Sequence, residues 1–147
     1  MPVFVDTNVL VCARDAAAGG RQQQALGWLS HLWHTRMGRV STQVLDEYYA
    51  VVTRKLVPGL PSDEARADVR ALLAWRPLGI DATVLEGAWR IEDRFGLSFW
   101  DALIVSAART SGCELLLTED MQDGQEFNGT MVANPFVNDP PVRGASR

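Results

Sequence analysis

Acidic side chains recur along the sequence where predicted strands end or predicted helices begin. Asp6 follows the β-favouring run PVFV and precedes Thr7 and Asn8. Asp120 stands in the segment TEDMQDG, directly after the apolar run ELLLT. The carboxyl ends of parallel strands meet at one edge of a sheet, where α/β proteins bind their ligands. The two runs therefore predict that two separate strands deliver carboxylates to the same edge.

Asp6 and Asp101 also have a purely structural interpretation. Asp6 precedes the helix predicted to begin near Asn8, and a carboxylate there can cap the free amides of the first turn. Asp101, in LSFWDALIVSAA, stands three residues after Ser98, which is the spacing of a capping box. Taken alone, this spacing favours the capping role for Asp101. The roles are compatible, because a residue in the first turn of such a helix also faces the strand-end edge.

Asp46 and Glu47 are adjacent acids that a helical wheel distinguishes. The apolar stripe predicted for residues 43–56 consists of Val44, Tyr48, Val51 and Val52. Each helical residue advances by about 100°, so Glu47 falls about 40° from Val51, whereas Asp46 points away from the stripe. Neither acid has a basic residue four positions later. Chance placement is the commoner explanation for a single Glu. Of the two neighbours, Glu47 is the candidate for a functional role.

The segment TEDMQDG holds three acids within five residues, which is more than a turn requires. Glu119, Asp120 and Asp123 cannot all face inward. We expect Asp120 to lie in the site, with Asp123 in support.

Other kinds of chemistry have weaker support in the sequence. His31 and His34 are three residues apart on a predicted helix, but no nearby Cys or acidic motif completes a zinc site. There is no G-x-S-x-G motif and no Gly-rich phosphate loop. The five tryptophans are predicted mainly as core residues. Only Trp100, beside Asp101, is a candidate for contact with a base or ribose.

Composition and charge restrict the class of protein. The chain has 147 residues, 47% of them hydrophobic, which fits one domain with a full core. A net charge of −4 counts against phosphate binding by a basic surface. It is compatible with a nuclease whose carboxylates hold metal ions. Cys12 and Cys113 indicate neither a metal-like pair nor a disulfide framework, and no signal peptide or membrane span is evident. We therefore expect a cytoplasmic protein.

Predicted strands and helices alternate along the chain. The strands are PVFV, RVST (39–42), PLGI (77–80), ELLLT (114–118) and TMVA (130–133). The helices are NVLVCAR, 21–36, 43–56, 62–75 with Ser62 as N-cap, 82–95, and 99–111 ended by Gly112. Two apolar helix faces are predicted, one of Leu26, Leu29, Leu32 and Trp33, the other of Val84, Ala88, Ile91 and Phe95. This order predicts a three-layer α/β/α sandwich with a central parallel sheet of four to five strands. Residues 1–137 form the predicted domain and 138–147 a flexible tail.

Four segments in this order resemble a known family. FVDTNVLV, the helix carrying Glu47, FWDALIVSAA and LLLTEDMQDG resemble the PIN-domain ribonucleases, most closely the toxins of VapC-type toxin–antitoxin pairs. The resemblance covers residues 3 to about 135. It implies an acidic cluster of Asp6, Glu47, Asp101 and Asp120, with Asp123 as a fifth member. It also implies hydrogen-bonding support from Thr7, Asn8 and Thr118.

The resemblance implies a metal-dependent ribonuclease that hydrolyses phosphodiester bonds of RNA. Carboxylate oxygens at this density suit Mg²⁺ or Mn²⁺ rather than zinc. Asp6, Asp101 and Asp120 are the expected ligands, and Glu47 is expected to hold a second metal or the attacking water. The family further implies an antitoxin protein with a basic segment and a homodimer. No membrane association is expected, because no apolar run approaches the length of a membrane span.

Three alternatives differ in testable ways. A phosphatase of the haloacid-dehalogenase type has a second acid two residues after the first. Here that position is Asn8, which counts against this class. A phospho-receiver domain needs an acidic pair where VDTN offers one acid. A non-catalytic RNA-binding or scaffold PIN domain would keep the fold without cleaving RNA.

Overall fold

The computed structural model describes residues 1–141, which contain six α-helices and five strands. In chain order they are β1 (Val3–Val5), α1 (Thr7–Ala13), α2 (Gly20–Thr35), β2 (Gly38–Arg39), α3 (Thr42–Arg54), α4 (Ser62–Leu72), α5 (Ala82–Phe95), α6 (Phe99–Thr110), β3 (Leu115–Leu117), β4 (Glu126–Phe127) and β5 (Thr130–Ala133). Short 3₁₀ helices occupy Ala16–Ala18 and Leu73–Trp75. Within these residues, none of the helices combines the length and the apolar content that crossing a membrane would need.

The sheet has the strand order β2-β1-β3-β5-β4. Strands β2, β1, β3 and β5 are parallel to one another, and the edge strand β4 is antiparallel to β5. Val5 lies in register with Leu117 on β3. Asp6 and Thr118, the next residues, therefore leave the sheet at the same edge. The prediction that two strand ends meet at one edge is confirmed.

Helices cover both faces of this sheet, so the predicted α/β/α sandwich is confirmed. α5 packs on α6, while α1 packs on α2 and α3, and α3 packs on α4. All three residues of β1 are buried, as expected for a central parallel strand covered on both faces.

A polar network ties α4 to α1 and α3. Arg14, just after α1, donates two hydrogen bonds to the Asp68 carboxylate on α4, at 2.9 and 2.6 Å. The Tyr48 hydroxyl on α3 donates to the same carboxylate. Tyr48 follows Glu47 in the chain, so this network limits movement of the helix segment that carries a candidate site residue.

Two local predictions are wrong, and one strand was not predicted. Residues 77–80 form no strand, only a single bridge between Ser41 and Leu78. Ser62 is the first residue of α4 and does not cap it, because Pro61 occupies the N-cap position. β4 was not predicted from the sequence. In the structure, Asn128 and Gly129 link β4 to β5, and both have positive φ (52° and 104°). Asn-Gly is a strong signal for such a tight hairpin, but a two-residue strand is too short to show a pattern.

The buried faces agree with the sequence for α5 but not for α2. Val84, Ala88 and Ile91 are buried as predicted. On α2 the buried residues are Ala25, Trp28 and Leu32, whereas Leu26 and Trp33 are each 41% exposed. Both sets have helical spacing, so the periodicity alone could not select the core-facing one.

The prediction that the tryptophans belong mainly to the core is also wrong. Trp28 and Trp75 are buried, but Trp33, Trp89 and Trp100 are exposed. Trp28 has a further contact, because its indole N–H donates to the carbonyl of Asn138 at 2.8 Å. Residues 142–147 of the predicted tail lie outside the described residues, and the domain boundary stays a prediction.

Two glycines should respond oppositely to substitution by alanine. A Cβ on Gly38 would lie 2.5 Å from the buried Trp75 ring, so we expect Gly38→Ala to lower the free energy of unfolding by about 1–3 kcal/mol. A Cβ on Gly27, inside α2, would meet nothing within 4 Å. Gly27→Ala should therefore stabilise the protein by about 0.5–1 kcal/mol through helix propensity. Urea unfolding measures both, and equal effects would contradict the close packing of β2 against Trp75.

Candidate active site

Asp6 is a buried carboxylate at the strand-end edge. Its side chain is 5% exposed and caps α1, with Oδ1 accepting a hydrogen bond from the Thr7 amide at 2.7 Å. Oδ2 accepts a second bond from the Thr118 hydroxyl at 2.8 Å. The capping interpretation is confirmed, and it leaves room for a functional one because Asp6 also contacts the end of β3.

Asn8 links the acids of the two strand ends. Its side-chain amide nitrogen lies 3.0 Å from Asp120 Oδ2, 3.3 Å from Asp6 Oδ2 and 3.1 Å from Thr118 Oγ1. The backbone amide of Asp120 donates to the same Thr118 oxygen at 3.1 Å. Asp6 and Asp120 are thus held by shared hydrogen-bond partners rather than by a basic side chain.

Glu47 reaches this group from α3. The Thr7 hydroxyl donates to Glu47 Oε1 at 2.9 Å, while the Thr7 backbone amide donates to Asp6. Thr7 therefore bridges two candidate site residues. Asp46 is exposed and Glu47 is partly buried, so the helix register inferred from the wheel is confirmed.

Gln43 is a neighbour of Glu47 that the sequence reasoning missed. Its amide nitrogen lies 3.5 Å from Glu47 Oε2, one helical turn away, and the residue is 9% exposed. Its side-chain oxygen is buried and has no hydrogen-bond partner within the described chain. The spacing of four residues was the available signal, since residues i and i+4 lie on one face of a helix.

Asp101 enters from the first turn of α6. Its backbone amide donates to the Ser98 hydroxyl at 3.2 Å, so the half of the predicted capping box in which Ser98 caps the helix is confirmed. Burial raises the pKa of Asp101, a hydrogen bond with Ser98 opposes this, and the charges of Asp120 and Glu47 raise the pKa further. Asp101 thus shares an electrostatic environment with Asp120, which follows β3, and with Glu47 on α3.

The pKa of Asp6 is strongly raised. Burial raises the pKa of Asp6 to about 7, although hydrogen bonds from Thr118 and Thr7 favour its charged form. The charges of Asp120 and Glu47 raise it further. No ion pair involves any of the four acids in residues 1–141. Their negative charge is therefore not neutralised by a neighbouring side chain of the described chain.

The other two acids after β3 have separate roles. Glu119 forms an ion pair with Arg21, whose guanidinium also lies 4.2 Å from the centre of the Phe136 ring. Asp123 Oδ1 accepts hydrogen bonds from the Asn134 amide at 2.9 Å and from the Asn138 side chain at 2.8 Å. Asp123 is thus hydrogen-bonded to the segment that follows β5. No pattern in the sequence indicated Arg21.

The four acids offer only oxygen ligands, a donor set that fits a hard cation such as Mg²⁺ or Mn²⁺. The buried and uncompensated Asp6 carboxylate fits the same class of ion. Among residues 1–141, however, no three His, Cys, Asp or Glu side chains stand ready to hold a metal ion as they are placed. Repulsion between carboxylates opposes close approach without a cation, so binding would require the side chains to move together.

Comparison with known proteins gives the family. The model of the PIN domain matches residues 3–122. The chain belongs to the PIN domain family. The match includes Asp6, Glu47, Asp101 and Asp120, and it ends before the β4–β5 hairpin of this PIN domain. A sequence search of the curated proteins found no match.

Three solved structures are similar to this PIN domain. The VapC20 toxin of Mycobacterium tuberculosis, described as cleaving the sarcin–ricin loop, shares 25% identity over 78% of this chain and 86% of that one, with a TM-score of 0.59. A toxin–antitoxin complex from Klebsiella pneumoniae gives 18% identity, coverages of 92% and 98%, and a TM-score of 0.62. VapBC2 from Rickettsia felis, bound to a DNA fragment from its promoter, gives 15% identity, 91% and 98%, and 0.60. The last two support the fold alone.

Proposed function

We propose that this PIN domain is a metal-dependent ribonuclease that hydrolyses phosphodiester bonds of RNA and serves as the toxin of a toxin–antitoxin pair. The observation that carries the proposal is the hydrogen-bonded group of Asp6, Glu47 and Asp120. It joins acids from two strand ends and one helix without a neutralising cation. Similarity to the VapC20 toxin supports RNA as the substrate class.

Each acid has a proposed role. Asp6, Asp101 and Asp120 hold Mg²⁺ or Mn²⁺, and Glu47 holds the attacking water or a second ion. When bound, such an ion lowers the pKa of a coordinated water and offsets charge that develops on the phosphate oxygens. The chain itself needs no nucleophilic side chain for this reaction.

Neighbouring polar groups orient these acids. Thr118 and Asn8 hold the Asp6 carboxylate, and Asn8 also holds Asp120. Thr7 orients Glu47 through its hydroxyl. The hydrogen bonds from Thr118 and Thr7 favour the charged form of Asp6, which is the form that binds a cation.

Cleavage of RNA by the purified protein tests the proposal. We expect a mixed single-stranded RNA to be cut in Mg²⁺ or Mn²⁺ and to stay intact in EDTA. DNA of the same sequence tests whether cleavage is restricted to RNA. RNA binding without cleavage, with either metal ion, would favour the alternative of a non-catalytic RNA-binding PIN domain.

Metal binding should be measurable without RNA. We expect millimolar Mn²⁺ or Mg²⁺ to raise the midpoint of thermal unfolding, because an ion that binds only the folded protein stabilises it. Asp6→Asn should lose this rise, whereas Asp81→Asn should keep it, since Asp81 is an exposed N-cap on α5. A rise of equal size in both variants would argue against a site at Asp6.

A partner protein with a basic segment is part of the proposal. Arg or Lys side chains of such a segment would pair with the uncompensated acids and compete with the metal ion. The partner should therefore lower RNA cleavage when it is added to the purified protein. Undiminished cleavage would contradict the inhibitory role. We further propose a homodimer, testable by light scattering, and a cytoplasmic location, which the free, buried Cys12 and Cys113 support.

A further inference from the structure

Trp100 is an exposed aromatic residue in the first turn of α6, a helix whose middle is buried. Its side chain is 63% exposed, while all seven residues from Ala102 to Ala108 on α6 are buried. Single exposed apolar residues are common on protein surfaces, and Trp33 and Trp89 are also exposed here. Trp33 also contacts an aromatic ring, that of Trp75, so it is the combination of two observations, a ring contact and a position beside the acids, that distinguishes Trp100.

The first observation is that the indole has a defined orientation. The Trp100 and Phe99 rings form an edge-to-face pair with centroids 5.1 Å apart and planes at 69°. Phe99 is partly buried and packs against the core. This contact restricts the indole but leaves most of its surface in solvent. A restricted ring loses less conformational entropy when a ligand stacks on it.

The second observation is the position of Trp100 in the fold. A short turn at residues 111–114 connects α6 to β3, so the two elements run in opposite directions. The first turn of α6 therefore lies at the edge of the sheet where β3 ends, which is the edge that carries Thr118 and Asp120. Trp100 stands in that turn, immediately before Asp101.

We propose that Trp100 is a stacking platform for an unpaired base next to the phosphate that is cleaved. The proposal rests on the ribonuclease function above and adds a substrate requirement to it. Aromatic side chains stack on the π-face of any base and contribute strongly to single-strand binding. A base within a duplex is already stacked between its neighbours, so the favoured substrate is a loop or single strand. Stacking also suits a protein of net charge −4, because it does not depend on phosphate neutralisation.

Substitution at Trp100 tests the platform against a matched control. With a short RNA that contains one mapped cleavage site, we expect Trp100→Ala to raise KM about tenfold, equivalent to about 1.4 kcal/mol, with kcat nearly unchanged. Trp100→Phe should retain most of the affinity, because it keeps an aromatic face. Trp89→Ala, at the exposed tryptophan on α5, should behave as wild type. Circular dichroism confirms that each variant is folded.

A double-mutant cycle identifies the contact itself. Replacing bases near the cleavage site one at a time by abasic residues should weaken wild-type cleavage about tenfold at one position. In Trp100→Ala the same abasic substitution should have no further effect, because the stacking contact is already lost. If the losses from Trp100→Ala and from the abasic substitution were additive, the proposal would be overturned.

The outcomes separate this proposal from the proposed function. If the wild type cleaves RNA and Trp100→Ala matches it in KM, the platform is wrong and the ribonuclease stands. If no RNA is cleaved, binding of a fluorescein-labelled single-stranded RNA in EDTA is decisive. Binding that weakens in Trp100→Ala but not in Trp89→Ala keeps the platform and overturns the ribonuclease. Binding that is equal in both variants, or absent, overturns the platform.

Discussion

Asp6→Asn should abolish metal-dependent RNA cleavage and at the same time make the metal-free protein more stable above pH 7. Cleavage should fall by orders of magnitude, because the substitution removes a buried ligand charge. Stability should rise because asparagine caps a helix about as well as aspartate but carries no charge to bury. A residue kept for function at the expense of stability would behave in this way.

The pH dependence follows from the direction of the pKa shift. In the metal-free folded protein the pKa of Asp6 is raised from 3.8 to about 7, so the folded state keeps a proton that the unfolded chain releases. The free energy of unfolding therefore decreases as pH rises between these values. In EDTA, wild type should lose stability between pH 5 and pH 8, and Asp6→Asn should lose less. At pH 8 we expect the variant to be more stable by about 1 kcal/mol or more.

Urea unfolding in EDTA at both pH values makes the comparison. Asp81 is the matched control, because its side chain also caps a helix, accepting from the Val84 amide at 3.1 Å, but it is exposed. Asp81→Asn should leave cleavage and stability close to wild type. A variant Asp6→Asn that is less stable than wild type at pH 8 would mean that its hydrogen bonds outweigh its burial.

Glu47→Gln should lower metal-dependent cleavage by orders of magnitude, whereas Asp46→Asn should leave it close to wild type. The two acids are adjacent and carry the same charge, so the variants change the net charge equally. They differ in placement, because Glu47 accepts a hydrogen bond from Thr7 at 2.9 Å and Asp46 is exposed. Gln keeps the size and hydrogen-bonding shape of Glu but removes the charge that the proposed ion requires.

Cleavage of mixed RNA in Mg²⁺ or Mn²⁺, with folding checked by circular dichroism, measures both variants. Loss of activity in Asp46→Asn alone would place the functional face of α3 on its exposed side. Normal activity in both variants, together with an inactive Asp6→Asn, would restrict the site to the remaining acids and make Glu47 a structural residue.

The sequence was sufficient to predict the acids that stand at element boundaries. Asp6 and Asp120 follow apolar runs, and the register of Val5 with Leu117 in the structure brings their strand ends together. Helical geometry placed Glu47 at the edge of the buried stripe of α3, whereas its place among the site acids came from the family resemblance. These predictions depend on local periodicity and on the general properties of parallel sheets.

Other features depend on tertiary contacts that no local pattern encodes. The three acceptors around the Asn8 amide come from residues 6, 118 and 120, and only the fold brings them together. The exposure of Trp33 follows from which of two apolar faces of α2 turns toward the sheet. The Asn128–Gly129 hairpin carried a readable local signal, but its two-residue strand did not.

The hydrogen bond between Asn8 and Asp120 spans 112 residues of sequence. A ribosome synthesises Asn8 early and Asp120 late, and β1 cannot pair with β3 until that strand has emerged. For most of its synthesis the growing polypeptide therefore lacks an assembled acidic cluster. Fragments released just before residue 120 would carry Asp6, Glu47 and Asp101 without Asp120. Under the proposed toxin function, such fragments would be inactive, and an inhibitor would be needed only once the segment that carries Asp120 has been synthesised.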